Sequence, residues 1–318
     1  MKTFKHVDAH TIQEAVSALA EKNAYANAGG TDIIGLMRKA ALPDDMYPKS
    51  IVNLKSISPS LDYIKEEGGV LKIGALTRLE DIAKSNVVKT RWLGLAEAAH
   101  KTASPHLRES GTIGGNICQH NRCWYFWKAG NRFDCIRKGG GLCYALVGNN
   151  RYHSIFGAIS GCVAVNPSDT APALVALNAT VKTNKRDIAA EDFWTVPMMQ
   201  PKSTVLDDDE IVTEIQVPAF SGKSSFVKFA LRSSIDFPIV NCAAAIDGGN
   251  IRICLNAVYG IPKRATEAED FMKGKTINED NAESAGDAAV RAVTVLPNNK
   301  WKVQIAKVMV KRAILACA

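Results

Sequence analysis

The sequence predicts an α+β protein built from two domains. Three observations lead to this class: capping signals followed by apolar residues at helical spacing, short apolar runs typical of strands, and a Gly/Ser-rich stretch at 218–225 that separates two such sets. A chain of 318 residues is long enough to bury a core in each domain. We therefore divide it into residues 1–220 and 221–318.

Helix and strand signals are interleaved in the first domain. The capping box Thr11-Ile-Gln-Glu14 predicts a helix to about Lys22, and Thr77-Arg-Leu-Glu80 predicts another to about Lys84. Residues 171–183 are rich in Ala, Leu and Val and fit a helix or a pair of buried strands. The other predicted elements are strands at 51–54, 71–76 and 211–217 and a helix at 92–99.

The second domain begins with strands and ends with helices. A three-stranded antiparallel sheet is predicted, with Asp247-Gly-Gly-Asn250 as the hairpin turn between its last two strands. The final helix is amphipathic and basic, which favours packing on its own sheet or on a partner subunit over membrane binding. The predicted strands are 226–231, 240–246 and 251–259, and the predicted helices are 280–293 and 300–316.

Composition excludes several classes of function. Hydrophobic and charged fractions of 47% and 22% are those of an ordinary soluble globular protein. No apolar run reaches transmembrane length and none stands at the start, so we expect no membrane span, no signal peptide and a cytoplasmic location. The net charge of +7 comes from scattered Lys and Arg, which argues against nucleic-acid binding.

Two glycine turns suggest a long ligand with a central diphosphate. Each of Gly29-Gly30 and Gly114-Gly115 is followed within three residues by an apolar residue, Ile33 or Ile117. Glycines can take positive φ and leave amides uncovered, and successive amides in such a turn bind anions. Neither turn matches the Rossmann or P-loop pattern. A plain β-turn is the alternative for Gly29-Gly30-Thr31.

Five of the eight cysteines fall in the irregular stretch 111–169, whose polar and aromatic composition is typical of a loop wrapped around a cofactor. Reduced cysteines clustered in a cytoplasmic chain indicate metal or redox chemistry before disulfides. A [4Fe–4S] cluster bound by four thiolates is our hypothesis for the insertion at about 118–162, with four-thiolate zinc and buried free thiols as alternatives. The candidate ligands are Cys123, Cys135, Cys143 and Cys162.

The other four cysteines are interpreted as structural. Cys118 lies directly behind the second glycine turn in an apolar context. Cys242, Cys254 and Cys317 fall in apolar strand or helix contexts, where a free thiol behaves as a small hydrophobic group.

Four motifs, in order along the chain, resemble the FAD-binding medium subunit of the xanthine dehydrogenase family of molybdenum hydroxylases. They are Ala28-Gly-Gly-Thr-Asp32, Thr112-Ile-Gly-Gly-Asn116, Pro167-Ser-Asp169 and Lys228-Phe-Ala-Leu-Arg-Ser-Ser-Ile-Asp-Phe-Pro238. The resemblance implies a two-part FAD-binding domain of the vanillyl-alcohol-oxidase/PCMH type over residues 1–220. It also implies a C-terminal domain like that of carbon monoxide dehydrogenase flavoproteins over residues 221–318.

Within this family the cysteine insertion resembles two branches that carry a [4Fe–4S] cluster, the 4-hydroxybenzoyl-CoA reductase β subunit and the FAD subunit of periplasmic aldehyde oxidoreductase. Cys123, Cys135 and Cys143 correspond to ligands in both branches. Cys162 corresponds to the fourth ligand of the aldehyde branch, whereas Tyr152 stands where the reductase has its last cysteine.

The resemblance also assigns cofactor contacts. Gly29, Gly30 and Thr31 are expected at the FAD diphosphate, and Gly114, Gly115 and Asn116 at the diphosphate and ribityl chain. Asp169 is expected near the ribityl or adenosine end, and Lys228 near the flavin. The full set of expected FAD contacts is Ala28, Gly29, Gly30, Thr31, Asp32, Thr112, Gly114, Gly115, Asn116, Asp169 and Lys228.

No catalytic residue is expected in this chain, because it has no plant-type [2Fe–2S] motif and nothing like a molybdopterin domain. The resemblance implies an oxidoreductase subunit of a heterotrimer that relays electrons among its FAD, its cluster, a small [2Fe–2S] subunit and an external carrier such as ferredoxin or NAD. A large subunit with molybdenum cofactor would handle an aldehyde, an N-heterocycle or an aromatic acyl-CoA, and export with a partner would remain possible. The alternatives are a stand-alone flavoprotein oxidase and a zinc-stapled binding protein.

Overall fold

The computed structural model describes all 318 residues and contains three β-sheets, each packed against helices. The first lobe is a parallel sheet in which β3 lies between β1 and β2. Its elements are β1 (Lys5–Asp8), α1 (Ile12–Leu19), β2 (Ala24–Asn27), α2 (Ile33–Lys39) and β3 (Ser50–Asn53).

The first capping box forms as predicted. Thr11 Oγ1 accepts from the Glu14 amide at 3.1 Å, and the Glu14 carboxylate accepts from the His10 amide at 2.7 Å. Helix α1 therefore begins at Ile12, although it ends at Leu19 and not near Lys22.

The second lobe is an antiparallel five-stranded sheet with the order β4-β5-β8-β6-β7. Its strands are β4 (Ile64–Glu67), β5 (Val70–Gly74), β6 (Thr180–Thr183), β7 (Asp187–Ala189) and β8 (Val212–Val217). Its helices are α3 (Leu79–Lys84), α4 (Asn86–Arg91), α5 (Leu93–His100), α6 (Pro105–Arg108), α7 (Ile113–Cys118), α8 (Tyr144–Val147) and α9 (Thr170–Ala176). Residues 171–183 thus form one helix followed by one strand.

The capping box predicted at Thr77-Arg-Leu-Glu80 does not form. Helix α3 begins at Leu79 after Arg78, and Thr77 does not cap it. The Thr77 hydroxyl instead donates to the Tyr63 carbonyl at 2.9 Å and accepts from the Tyr63 amide at 3.0 Å. A neighbouring loop therefore takes the hydrogen bonds that the helix would have used.

The C-terminal sheet is antiparallel and has four strands in the order β12-β11-β10-β9. The expectation of three strands missed β12, because two residues are too short to leave a pattern in the sequence. The elements are β9 (Lys223–Phe229), β10 (Val240–Asp247), β11 (Asn250–Asn256), β12 (Lys263–Arg264), α10 (Thr266–Met272), α11 (Glu279–Ala289) and α12 (Trp301–Leu315). The tight turn between β10 and β11 uses Gly248 and Gly249, both at positive φ.

The C-terminal sheet packs against a different hydrophobic core on each face, because successive side chains of a strand point to opposite faces. Ala243 and Ala245 of β10 belong to the core of the second lobe, whereas Cys242 and Ala244 belong to a core covered by α12. The final helix therefore packs on its own sheet. Cys242, Cys254 and Cys317 are buried free thiols, as expected. None of the helices has both the length and the apolar character needed to cross a membrane.

Candidate functional site

The first glycine turn presents a row of free amides. The backbone N–H groups of residues 28–33, between β2 and α2, make no hydrogen bond within the chain. Gly30 takes φ +71°, and a Cβ at Gly29 would lie 1.9 Å from the Ser110 carbonyl oxygen. Gly30 is thus required for its backbone conformation, and Gly29 for close packing against Ser110. The result is an anion-binding nest at the start of a helix.

The second glycine turn has a different structure. The Gly114 amide donates to Ala75 O at 2.9 Å, and the Gly115 amide donates to Thr112 Oγ1 at 3.1 Å. Since these amides are already paired, this turn offers no nest of its own. Gly114 is buried against Ala75, while Gly115 is exposed and leaves a flat surface. Gly115 therefore leaves room for a ligand to approach the backbone of this turn closely.

An interlobe cleft runs past both turns. Its first cavity lies beside residues 25–33, and the second shares Thr31, Thr112, Gly115 and other residues with it. A third cavity continues towards Trp124 and His153, with Arg122, Pro167, Asp236 and Phe237 lining both the second and the third. The three cavities are thus lined by residues of both lobes and of the C-terminal domain.

Asn116 fixes the wall of the cleft opposite the first turn. Its side-chain oxygen accepts from Ser168 Oγ at 2.6 Å and from Thr170 Oγ1 at 2.7 Å. These bonds hold the Pro167-Ser168-Asp169 turn against α7. The two separate motifs of the sequence are therefore one structural unit.

Asp169 and Lys228, both expected at the FAD, form an ion pair with each other. Lys228 Nζ lies 2.7 Å from Asp169 Oδ2 and 2.9 Å from the Lys101 carbonyl oxygen, while Asn241 Nδ2 donates to Asp169 Oδ1 at 2.8 Å. Burial raises the pKa of Asp169, and the Lys228 ammonium opposes that rise. Asp169 lines the cleft, whereas Lys228 lines none of its three cavities. This ion pair joins the second lobe to the C-terminal sheet.

Asp32 is likewise held within the chain. Its carboxylate lies 2.7 Å from His120 Nδ1 and 2.5 Å from Arg122 Nη2. Burial alone would raise the pKa of Asp32, but the Arg122 guanidinium and the His120 ring hold it well below its ordinary value. The negative charge at the end of the glycine turn is therefore neutralised, which leaves the free amides as the anion site.

Arg122 is a residue of the cleft wall that the sequence analysis missed. Its guanidinium lies 4.7 Å from the centre of the Trp127 ring and 4.6 Å from that of Phe237, in addition to its bond to Asp32. These partners come from three separate segments, so no local pattern could have identified it. Arg122 connects the glycine turn, the cysteine loop and the C-terminal domain.

The four candidate ligand cysteines line a single small cavity. Cys123, Cys135, Cys143 and Cys162 share its wall with apolar side chains, including Phe126. Cys118 lies elsewhere, at the first cavity of the interlobe cleft. No three His, Cys, Asp or Glu side chains in the chain have the arrangement that would hold a single metal ion.

Backbone amides lower the pKa of all four thiols. The Ala164 amide, for example, donates to Cys162 Sγ at 3.4 Å, and the His153 ring Nε2 lies 3.2 Å from Cys123 Sγ. Amide hydrogen bonds favour thiolate over thiol, and they are how proteins tune sulfur-bound iron. The donors are the amides of Tyr125, Phe126, Arg137, Ala145, Leu146, Val163 and Ala164.

The sulfur atoms also differ in environment. A hydrogen bond from Cys162 lowers the pKa of Cys143 to about 6, while burial raises the pKa of Cys123 to about 12. Four thiols that share an amide-lined cavity form a donor set suited to a soft, sulfur-binding centre. The cysteine insertion is thus a second candidate site beside the cleft.

A row of free amides in a cleft between two lobes is typical of proteins that bind a long anionic cofactor. Comparison with known families makes this specific. Residues 2–220 match the family described as FAD binding domain in molybdopterin dehydrogenase, and residues 225–317 match the CO dehydrogenase flavoprotein C-terminal domain. The chain belongs to the FAD-binding medium subunits of the molybdenum hydroxylase, or xanthine dehydrogenase, family. The resemblance to this family and the α+β fold expected from the sequence are both confirmed, while the resemblance to its cluster-bearing branches stays a prediction.

Individual relatives agree with this assignment. The aldehyde oxidoreductase FAD-binding subunit PaoB of Escherichia coli (strain K12) is 30% identical over 316 residues, which cover 96% of each chain. The carbon monoxide dehydrogenase medium chain of Hydrogenophaga pseudoflava is 26% identical over 325 residues, covering 98% of this chain and 96% of the relative. These relatives are oxidoreductase subunits.

Solved structures show the same fold. A chain of the carbon monoxide dehydrogenase from Hydrogenophaga pseudoflava that lacks the Mo-pyranopterin moiety superposes with a TM-score of 0.74 at 25% identity, covering 99% of this chain and 97% of that one. A chain of quinoline 2-oxidoreductase from Pseudomonas putida 86 gives the same TM-score at 22% identity, covering 100% of this chain and 98% of that one, and supports the fold alone.

Proposed function

We propose that the chain is the FAD- and [4Fe–4S]-carrying electron-transfer subunit of a heterotrimeric molybdenum hydroxylase. The observation that carries the flavin part is the row of unpaired amides at residues 28–33 at the start of α2. A diphosphate needs several N–H donors and a positive helix end, and this turn supplies both. Bound FAD would supply the redox chemistry, while the chain supplies position and electrostatics.

Each expected contact has a distinct role in this proposal. The diphosphate would be bound by the backbone amides of Ala28, Gly29, Gly30, Thr31 and Asp32. Thr112 caps α7 and orders Gly114 and Gly115, so that the cofactor can approach the backbone at Gly115. Asn116 and Asp169 would shape the wall along the ribityl chain, and Lys228 would act by holding Asp169 in place.

The cysteine cavity supports the iron–sulfur part of the proposal. Four thiols face one space, several amides are directed at their sulfur atoms, and the surrounding side chains are mainly apolar. Cys123, Cys135, Cys143 and Cys162 would be the ligands. The residues fit a cluster better than a zinc ion, because a zinc ion requires all its ligand atoms at about 2.0–2.3 Å from one point and no such arrangement occurs here.

The proposed partners are a large molybdopterin subunit and a small [2Fe–2S] subunit, since this sequence contains neither a plant-type [2Fe–2S] motif nor anything like a molybdopterin domain. Relatives are named as subunits or medium chains of an aldehyde oxidoreductase, a carbon monoxide dehydrogenase and a glyceraldehyde dehydrogenase. We propose an aldehyde, an N-heterocycle or an aromatic acyl-CoA as the substrate of the complex. Electrons would pass to or from an external carrier such as ferredoxin or NAD.

One purification tests these points together. The complex should contain one FAD and about four irons per copy of this chain beyond those of the [2Fe–2S] subunit, and its spectrum should show a broad shoulder that dithionite bleaches. Two further subunits should co-purify. FAD without the additional iron would refute the cluster alone, and zinc in its place would identify a zinc-stapled protein. Substrate turnover by the isolated chain would instead identify a stand-alone oxidase.

A further inference from the structure

Two buried cations that form no salt bridge lie beside the cysteine cavity. Arg137 and Lys138 are 2% and 3% exposed, and the one carboxylate that acts on either is Asp134, which acts on Lys138 at longer range. Arg137 Nε donates to the Gln200 carbonyl at 2.9 Å and Nη2 to the Pro201 carbonyl at 3.1 Å. Lys138 Nζ donates to the Ala41 and Phe126 carbonyls at 3.0 and 3.2 Å. All these acceptors are neutral.

Both cations face the candidate ligands. Arg137 itself lines the cavity, and its charge acts on Cys135 and Cys162. The Lys138 ammonium lies 5.4 Å from the centre of the Phe126 ring, which also lines the cavity, and its charge acts on Cys135 and Cys123. Between them, the two cations act on three of the four thiols, and both act on Cys135.

Buried charges in proteins are almost always compensated, because removing a lone ion from water costs several kcal/mol. Carbonyl oxygens lower that cost but do not supply a counter-charge. An iron–sulfur centre bound by four thiolates is a net anion, and it gains one further negative charge on one-electron reduction. Its negative charge would balance those of the two buried cations. The cations would stabilise the reduced state more than the oxidised state, because the reduced state carries more negative charge.

We propose that Arg137 and Lys138 form a cationic cage that stabilises the reduced form of the iron–sulfur centre and so raises its reduction potential. This inference rests on the proposed cluster. The two residues are positioning and electrostatic residues, since neither is a ligand. Their effect depends on positive charge in a dry environment, where the interaction is screened little by solvent.

The test is a potentiometric titration of the purified complex, monitored by electron paramagnetic resonance. Arg137→Gln and Lys138→Met remove the charge, whereas Arg137→Lys and Lys138→Arg keep it. We expect each charge-removing variant to shift the reduction equilibrium at least tenfold towards the oxidised centre, which is about 59 mV for a one-electron couple. The charge-keeping variants should stay within a third of that shift.

Lys302→Met is the matched control. Lys302 is fully buried, also lacks a carboxylate partner, and donates to the carbonyls of Tyr152, His153 and Ala257 at 3.2, 3.1 and 2.8 Å. It does not line the cysteine cavity. Its loss should therefore disturb packing to a similar degree with a much smaller change in potential.

Iron analysis separates the outcomes. Wild-type complex without the additional iron refutes the proposed cluster, and the cage with it. Variants with full iron but unchanged potential overturn the cage and leave the cluster intact. Loss of iron only from charge-removing variants, with FAD retained, supports the cage, because an anionic centre is then held by charge. Equal loss from charge-keeping variants overturns it in favour of packing.

Discussion

Replacing Gly115 with valine should release FAD while leaving the fold intact. Gly115 is exposed at the floor of the interlobe cleft, and a Cβ there would meet only Thr112 Oγ1, at 3.1 Å, within 4 Å. Its neighbour Gly114 differs, because a Cβ there would lie 2.8 Å from Ala75 O and 3.0 Å from Ala75 Cβ. A substitution at Gly115 should therefore affect FAD binding, whereas one at the adjacent Gly114 should affect the stability of the fold.

The magnitudes follow from these distances. Valine at position 115 lies inside α7, where it is a somewhat better helix former than glycine, and Thr112 must move only a few tenths of an ångström. The free energy of unfolding should therefore change by less than about 1 kcal/mol. Alanine at position 114 overpacks a backbone contact, which typically costs about 1–3 kcal/mol.

Flavin affinity should show the opposite order. The valine methyl groups of Gly115→Val extend into the space that the cofactor must approach, so we expect at least a tenfold weaker affinity, about 1.4 kcal/mol. Urea denaturation of the FAD-free chain gives stability, and fluorescence titration with FAD gives affinity. Wild-type affinity in Gly115→Val, together with unchanged stability, would refute the placement of the cofactor at this turn.

Three further predictions concern the cysteines and the two ion pairs. Cys162→Ala should lose close to four irons per chain, whereas Cys118→Ala should keep them at a stability cost of about 1 kcal/mol; the reverse result in metal analysis would show that the ligand set is wrong. Asp32→Asn should cost about 2 kcal/mol at neutral pH. Because the folded-state pKa of Asp32 is depressed, this difference should be full above about pH 4 and shrink as the pH falls below it; a pH-independent difference in denaturation experiments would contradict the ion-pair explanation. Lys228→Met should cost about 3 kcal/mol by leaving Asp169 buried and uncompensated, and adding Asp169→Asn should recover part of the loss in the same assay.

The sequence determined the local parts of this protein. Alternation and helical spacing predicted about half of the strands and helices, mainly the longer ones, because each depends on neighbours a few residues away. The Thr11 capping box formed for the same reason, whereas Thr77 was claimed by Tyr63, which lies far enough along the chain to escape a local pattern. The first glycine turn was also recognisable, since positive φ at Gly30 is a property of that residue alone.

Only the tertiary structure decided which of these parts act together. The two glycine turns looked alike in sequence, yet the amides of the second are paired with Ala75 and Thr112, so that only the first can bind an anion through its backbone. The four cysteines could be counted in the sequence, but their common cavity depends on long loops folding back on one another.

The ion pairs and buried cations were beyond the sequence for the same physical reason. Asp169 meets Lys228 across 59 positions, and Arg122 contacts rings that belong to separate domains of the chain. A charge reveals nothing about its burial or its partner until the fold has excluded water and fixed the distances. The chemistry available to this chain was therefore present in its residues, while the electrostatics that direct it arose only when distant segments packed together.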